Sequence, residues 1–141
     1  MKVFGIDVDF PYPQPYPAQK ALMAKAMSSF VKQENAILES PTGTGKSLAL
    51  LSSSLAFQTD IKNKHPEALR YNFDHTSDTS TEPSQTPIII PKIWYTSRTH
   101  TQLTQLVSEL KKLKYNPRMA ILASRKQTCI HSEAIKKGSV D

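Results

Sequence analysis

Residues 39–47 read Glu-Ser-Pro-Thr-Gly-Thr-Gly-Lys-Ser, and this short stretch limits the fold more than any other. The apolar run Ala36-Ile37-Leu38 precedes it, and a second apolar run, Leu48-Ala49-Leu50-Leu51, follows. Strand, glycine-containing turn, Lys-Ser and helix, in that order, is what a phosphate-binding loop requires. Gly43 and Gly45 let the backbone curl so that successive N–H groups point inward. A helix starting near Lys46 aims its positive end at the same place. Lys46 can then reach β- and γ-phosphates, and Ser47 can ligate Mg²⁺. The general pattern G-x-x-x-x-G-K-[ST] asks for Gly at position 40, where this chain has Ser40. The plainer alternative is a Ser/Gly-rich turn capping an ordinary helix through Ser40 or Thr42. That alternative explains neither the two glycines at their spacing nor the Lys-Ser pair.

The rest of the chain sorts into segments around this loop. Along residues 2–9, Val3, Gly5, Asp7 and Asp9 alternate with Phe4, Ile6, Val8 and Phe10, which predicts a short strand or hairpin arm with one apolar face. The Phe10-Pro11-Tyr12-Pro13-Gln14-Pro15-Tyr16-Pro17 run excludes helix and reads as a stiff, extended wall beside the phosphate loop. A plain linker or a Pro-rich ligand for another domain remain open readings. Leu22, Ala26, Met27, Phe30 and Val31 predict a helix over 18–31, with Pro17 suited to its first turn. A strand over 36–39, the loop at 40–46 and a helix to about Gln58 complete a β–loop–α unit.

From about Asp60 to Pro87 the character changes. Residues 74–87 contain no apolar side chain, so they cannot bury enough surface to offset the entropy of ordering. The segment 60–87 reads as a polar, flexible insertion, with His65 and His75 as surface histidines. Ile88-Ile89-Ile90-Pro91-Lys92-Ile93-Trp94-Tyr95-Thr96 has the composition of a buried parallel strand, with Pro91 marking its start. Inside such a strand, Trp94 and Tyr95 are read as core residues in preference to base-stacking ones. Leu103, Leu106, Val107, Leu110 and Leu113 predict a helix over 101–113, and Met119-Ala120-Ile121-Leu122 a third strand. A last helix is expected after Cys129. Strands alternating with helices imply an α/β domain with a parallel sheet. Ligands on such sheets bind beyond the carboxyl ends of the strands.

Composition narrows the partners. The formal charge is +6, and residues 88–141 carry ten basic groups against three acids, while residues 1–60 are balanced. A basic segment joined to a phosphate loop points to a polyanion, most simply nucleic acid. On charge alone, a solvated Lys-rich helix face fits as well. No stretch approaches the roughly 20 apolar residues of a membrane span, and the N-terminus lacks a secretory pattern. A lone Cys129 excludes an internal disulfide and fits a reducing compartment.

Four segments together match one family in order: Phe10-Pro11 through Tyr16-Pro17 and Gln19; Leu38 to Ser47; Pro91 to Leu103; and Ile121 to His131. The chain resembles the iron–sulfur, superfamily 2 DNA helicases of the xeroderma pigmentosum group D type. The phosphate loop of that family reads Ser-Pro-Thr-Gly, which accounts for Ser40. The resemblance implies the N-terminal part of an incomplete, RecA-like helicase motor domain 1, a parallel-sheet P-loop NTPase. Residues 1–17 form its arm and Pro-rich segment, and residues 123–141 start an iron–sulfur region.

The resemblance also assigns roles. Ser40, Thr42, Gly43, Thr44, Gly45, Lys46 and Ser47 are implied to hold ATP and Mg²⁺, with Lys46 the catalytic residue and Ser47 the metal ligand. Gln19 is implied to read adenine, since an amide both donates and accepts. Ser97, Arg98, Thr99 and His100 are implied to clamp DNA phosphates, joined by Arg125. Cys129 resembles the first of four thiolates that hold a [4Fe–4S] cluster, a role open only to a longer protein because no second Cys is present. The Asp-Glu-Ala-His motif that activates the attacking water is absent from the chain, as is a second motor domain. The implied activity is ATP-dependent, 5′-to-3′ unwinding of single-stranded or forked DNA by a nuclear repair or telomere helicase, with the 141 residues alone inactive in unwinding. The alternatives are a non-catalytic nucleic-acid-binding module, a relative acting in crosslink repair, or a small phosphate-loop kinase lacking a recognisable acceptor site.

Overall fold

The computed structural model of the chain describes residues 1–68, 89–124 and 128–131. The chain opens with a two-stranded antiparallel hairpin, β1 (Lys2–Val3) and β2 (Ile6–Asp7), with Val3 opposite Ile6. Its turn is Phe4-Gly5, with φ of 51° and 78°; two-residue hairpin turns favour positive φ because it matches the strand twist. This turn corrects the simple alternation. Residues paired across a hairpin share a face, so Val3, Ile6 and Val8 are buried together while Phe4 is left 58% exposed at the tip.

Three helices lie wholly within the described residues. The first, α1 (Pro17–Lys32), begins with Pro17 at its first position, as its fixed φ and missing N–H favour. It buries Gln19, Leu22, Met23, Ala26 and Met27, a stripe at helical spacing that stops short of Val31, which is half exposed. Gln33 ends it in the left-handed region (φ 58°), and the Glu34 N–H closes back on the Ser29 carbonyl at 3.0 Å.

The second helix, α2 (Lys46–Lys64), is the spine of the structure and runs past the expected end near Gln58. The first residues of the expected 60–87 insertion are therefore helical, with Lys64 paired to Asp60 at 2.7 Å and Lys62 to Gln58 at 3.2 Å. The greater part of that insertion, 69–87, lies outside the described residues. The third helix is α3 (His100–Leu110), three residues shorter at its C-terminal end than the leucine spacing predicts. Leu113 is nevertheless buried, because the turn after α3 carries it back onto α2.

Two faces of α2 build two clusters. Ala49, Ser52, Ser53 and Ala56 are all within 2% of full burial, a small-residue face that lets other elements approach closely. Ala49 and Ala56 share a cluster with Met23 and Met27 of α1 and with Val3, Ile6 and Val8. Leu48, Leu51 and Leu55 pack instead with Leu113, and with Tyr95, Leu106 and Leu110 beside them. Met23 and Met27 are fully buried, and truncating either to Ala costs about 2–5 kcal/mol. Phe10 reaches both clusters, so the Pro-rich segment anchors the core. Its last aromatic, Tyr16, donates its N–H to Gln19, the residue that abuts Gly45 of the phosphate loop.

The described parts of the apolar runs expected as parallel strands join no sheet among the described residues, whose one sheet is the hairpin. Ile37 is fully exposed, Trp94 is 74% exposed and Leu122 is 72% exposed. Trp94 is thus not a core residue here, while Tyr95 is half buried against α2. A central parallel strand is buried only when neighbours lie on both flanks. Asp9 ties the two ends together: its N–H donates to the Tyr115 hydroxyl at 2.6 Å, and its carboxylate accepts the Lys114 N–H at 2.9 Å.

Candidate phosphate-binding site

Residues 40–47 form a tight bend that delivers the chain into α2. Gly43 and Gly45 adopt φ of 81° and 75°, a region that costs other residues about 1–2 kcal/mol. Gly45 is the N-cap, so it offers no side-chain acceptor, and the first turn of α2 contains no acid. The first N–H groups of α2 are left without a side-chain cap, and the positive helix end faces the bend. By contrast, α3 is capped by Thr99, whose hydroxyl accepts the Gln102 N–H at 3.3 Å. The start of α2 has the character of an anion seat, and the start of α3 that of a conventionally closed end.

Hydrogen bonds brace the bend from within. The Lys46 ammonium donates to the Ser40 carbonyl at 2.8 Å and the Pro41 carbonyl at 2.7 Å. Thr44 Oγ1 donates to the same Pro41 carbonyl at 2.8 Å, and the Ser40 and Thr44 hydroxyls meet at 2.7 Å. Pro41, Thr42 and Gly43 are exposed; Ser40 and the Thr44–Ser47 stretch are half buried. A Cβ added to Gly43 would meet open space, so the outer side of the bend is accessible. Uncapped N–H groups, an ammonium held by neutral carbonyls and the Ser47 hydroxyl on the first turn fit a nucleotide phosphate tail with Mg²⁺. Lys46 is shared with two neutral carbonyls, which a phosphate replaces with charge-assisted bonds.

Gln19 is brought to this site from α1, but its amide is already engaged. Its Oε1 accepts the Tyr16 N–H at 2.9 Å, and its Nε2 lies where a Cβ on Gly45 would stand. It is 7% exposed. A groove of about 670 Å³ lies between α1 and residues 34–41, lined by Leu22, Lys25, Lys32, Ile37 and Pro41 among others. It touches the bend only at Ser40 and Pro41, so it is a neighbour of the phosphate seat.

Ser97, Arg98, Thr99 and His100 form a separate, exposed group at the start of α3. Ser97 Oγ donates to Gln102 Oε1 at 2.5 Å. Arg125 lies outside the described residues. Cys129 is a half-buried free thiol, and no group of three His, Cys, Asp or Glu able to hold a metal occurs among the described residues. With one thiolate in the chain, these residues do not fit a [4Fe–4S] cluster by themselves. Sequence reading missed the carbonyls of Ser40 and Pro41 as partners of Lys46, and the Asp9–Tyr115 tie. A run of loop residues gives no signal for the first, and the second joins positions 106 residues apart.

Known proteins share recognisable similarity with this chain. Regulator of telomere elongation helicase 1 of Mus musculus is 41% identical over 96% of this chain, and that of Homo sapiens 38% over the same share. The Oryza sativa homolog is 37% identical over 96%. The DEAD_2 family model matches residues 95–141. Its C-terminal third is thus similar to the DEAD_2 family. The chain spans 12–15% of the length of these relatives. No solved structure matches it. The DEAD_2 match begins at Tyr95 and takes in the Ser97–His100 turn, whereas the phosphate bend lies within the longer similarity to the helicases.

Proposed function

We propose that this chain is the nucleotide-binding part of an ATP-dependent, 5′-to-3′ DNA helicase of the telomere-maintenance type, acting in the nucleus on single-stranded or forked DNA. The observation that carries the reading is the bend at 40–47: two left-handed glycines, an uncapped α2 start, and Lys46 across the bend. Support for telomere maintenance over crosslink repair comes from the names of the relatives. The runs at 36–39, 89–96 and 119–122 are the proposed strands of a parallel, RecA-like sheet.

Each residue then has a task. The first amides of α2 receive the phosphate tail, and Lys46 leaves the Ser40 and Pro41 carbonyls to neutralise it. Ser47 ligates Mg²⁺, which when bound supplies charge neutralisation at the transferring phosphate. Gln19 links Tyr16 of the Pro-rich segment to Gly45, and its amide reaches the base on releasing the Tyr16 N–H. Ser97, Arg98, Thr99 and His100 meet DNA phosphates through their exposed side chains, and Arg125 is proposed to join them. A water-activating Asp-Glu-Ala-His motif is not among the 141 residues, so they bind nucleotide without turning it over. A [4Fe–4S] cluster enters only in a longer protein that adds thiolates to Cys129.

Calorimetric titration with Mg-ATP tests the reading. Binding in the millimolar range, about −4 kcal/mol, is expected for the wild type. Lys46→Ala is expected to weaken it at least about tenfold, the equivalent of about 1.4 kcal/mol for a lost charge-assisted contact. Identical binding by both forms refutes it. The exposure of all four residues at 97–100 favours one second reading, a nucleic-acid-binding module. Salt-dependent single-strand binding that falls with Arg98→Ala but ignores ATP and Lys46→Ala would establish it instead.

A further inference from the structure

We infer that Ser40 is a positioning residue of the phosphate bend, acting through the hydroxyl of Thr44 rather than by touching nucleotide. This deepens the nucleotide-binding reading and rests on it. Three observations combine. First, Thr44 has a single hydroxyl proton, and it is committed to the Pro41 carbonyl at 2.8 Å. The 2.7 Å contact between the two hydroxyls must therefore have Ser40 as donor. The direction is fixed: Ser40 Oγ–H to Thr44 Oγ1–H to the Pro41 carbonyl. Successive donors of this kind polarise one another.

Second, the same two residues whose side chain and carbonyl start and end this relay also hold Lys46. Its ammonium donates to the Ser40 and Pro41 carbonyls. The relay thus sets the carbonyl positions that park the ammonium, and with them the path Lys46 takes toward a phosphate. Third, Ser40 is not among the residues with positive φ, so its Cβ is tolerated at a position where the general pattern has Gly. The backbone at 40 makes no demand for glycine. A hydroxyl can be added there at no steric cost, and it closes a four-residue span between 40 and 44. Gly43, inside that span, keeps its left-handed conformation with open space on its outer side.

Two measurements on the 141-residue chain decide the matter. The first is amide hydrogen exchange at Gly43, Thr44 and Gly45 without nucleotide. Ser40→Ala and Thr44→Val are each expected to speed exchange about five- to tenfold, and Ser40→Thr, which retains the donor, to leave it within about twofold. The second is calorimetric binding of Mg-ATP and of inorganic tripolyphosphate. Ser40→Ala and Ser40→Gly are expected to raise both dissociation constants about five- to tenfold, with Ser40→Thr near wild type. Unchanged exchange in both Ser40→Ala and Thr44→Val overturns the inference. So does Ser40→Gly binding as tightly as wild type, which would make position 40 a matter of space alone. If wild type and Lys46→Ala bind Mg-ATP equally, the nucleotide-binding reading falls, while the exchange rates, measured without nucleotide, still decide whether the brace exists.

Discussion

Gly43 and Gly45 share one backbone region but not one environment, and this difference gives a quantitative test. Alanine at either position must hold φ near 80°, at a cost of about 1–2 kcal/mol. At Gly43 the new methyl enters open space, so that cost is the whole effect. At Gly45 the methyl collides with Gln19 Nε2. Gln19 is 7% exposed and pinned by the Tyr16 N–H at 2.9 Å, so it can yield only by giving up that bond, about 1 kcal/mol more. Gly45→Ala is therefore expected to destabilise by about 2–3 kcal/mol, against about 1–2 kcal/mol for Gly43→Ala. Gln19→Ala alone costs about 1 kcal/mol for the same lost bond, but it also clears the space. The double variant Gly45→Ala/Gln19→Ala is thus expected near about 2–3 kcal/mol, roughly 1 kcal/mol short of additivity. Urea denaturation followed by circular dichroism reads these values directly, with unchanged slope as the check that only stability has moved. Equal losses from the two glycine variants, or strict additivity of Gln19→Ala with Gly45→Ala, would refute the contact between α1 and the phosphate bend.

Gln33 sits at φ 58° at the end of α1, so Gln33→Gly is expected to stabilise by about 1 kcal/mol in the same urea assay. Ser52 Oγ is fully buried and has no hydrogen-bond partner among the described residues, whereas Ser53 Oγ donates to the Ala49 carbonyl at 2.8 Å. Ser52→Ala is expected to be neutral or stabilising by up to about 1 kcal/mol, and Ser53→Ala to be destabilising, by thermal denaturation. Burial, with the nearby carboxylates of Asp9 and Asp7, holds the Tyr115 phenol above its usual value, against the opposing effect of the Asp9 N–H it accepts. A raised phenol favours the neutral form when folded, so its stabilisation is complete below the unfolded value of about 10 and is lost as pH climbs through the folded one. Tyr115→Phe is expected to cost about 1 kcal/mol at neutral pH and to flatten the loss of stability above about pH 10, in denaturant titrations across that range.

The segments legible in the sequence are those whose signals are local. Pro17 at the first position of α1, the Leu22–Met27 stripe and the leucines of α3 each depend on neighbours three or four residues away. The same holds for the bend at 40–46, where Gly43 and Gly45 report their own φ requirement. The phase of the hairpin is not legible, because alternation is continuous only along one strand, and the Phe4-Gly5 turn resets which side faces the core. The end of α2 is hidden because polarity after Gln58 resembles a loop, although Asp60 and Lys64 sit one turn apart and pair. Trp94 illustrates the other limit. Its composition says buried strand, but burial is a property of neighbours, and none of the described residues covers it.

The position of α2 links these local features to the proposed chemistry. Its small face, Ala49, Ser52, Ser53 and Ala56, is fully buried in the core that α1 and the hairpin share, and α1 also sends Gln19 up against Gly45. Its leucine face packs the helix that starts at His100, directly after the Ser97–Thr99 turn. The element whose first turn forms the proposed phosphate seat is therefore the same element that supports the proposed DNA-contacting turn. Packed interiors resist continuous deformation, so a shift of the α2 start on phosphate binding would be passed to α3 through Leu48, Leu51 and Leu55 rather than absorbed. A loop-only phosphate site on an unrelated helix would have no such route. The two sites share a spine before any second motor domain is considered, and sequence alone does not reveal that sharing, because it arises from which face of α2 each partner packs against.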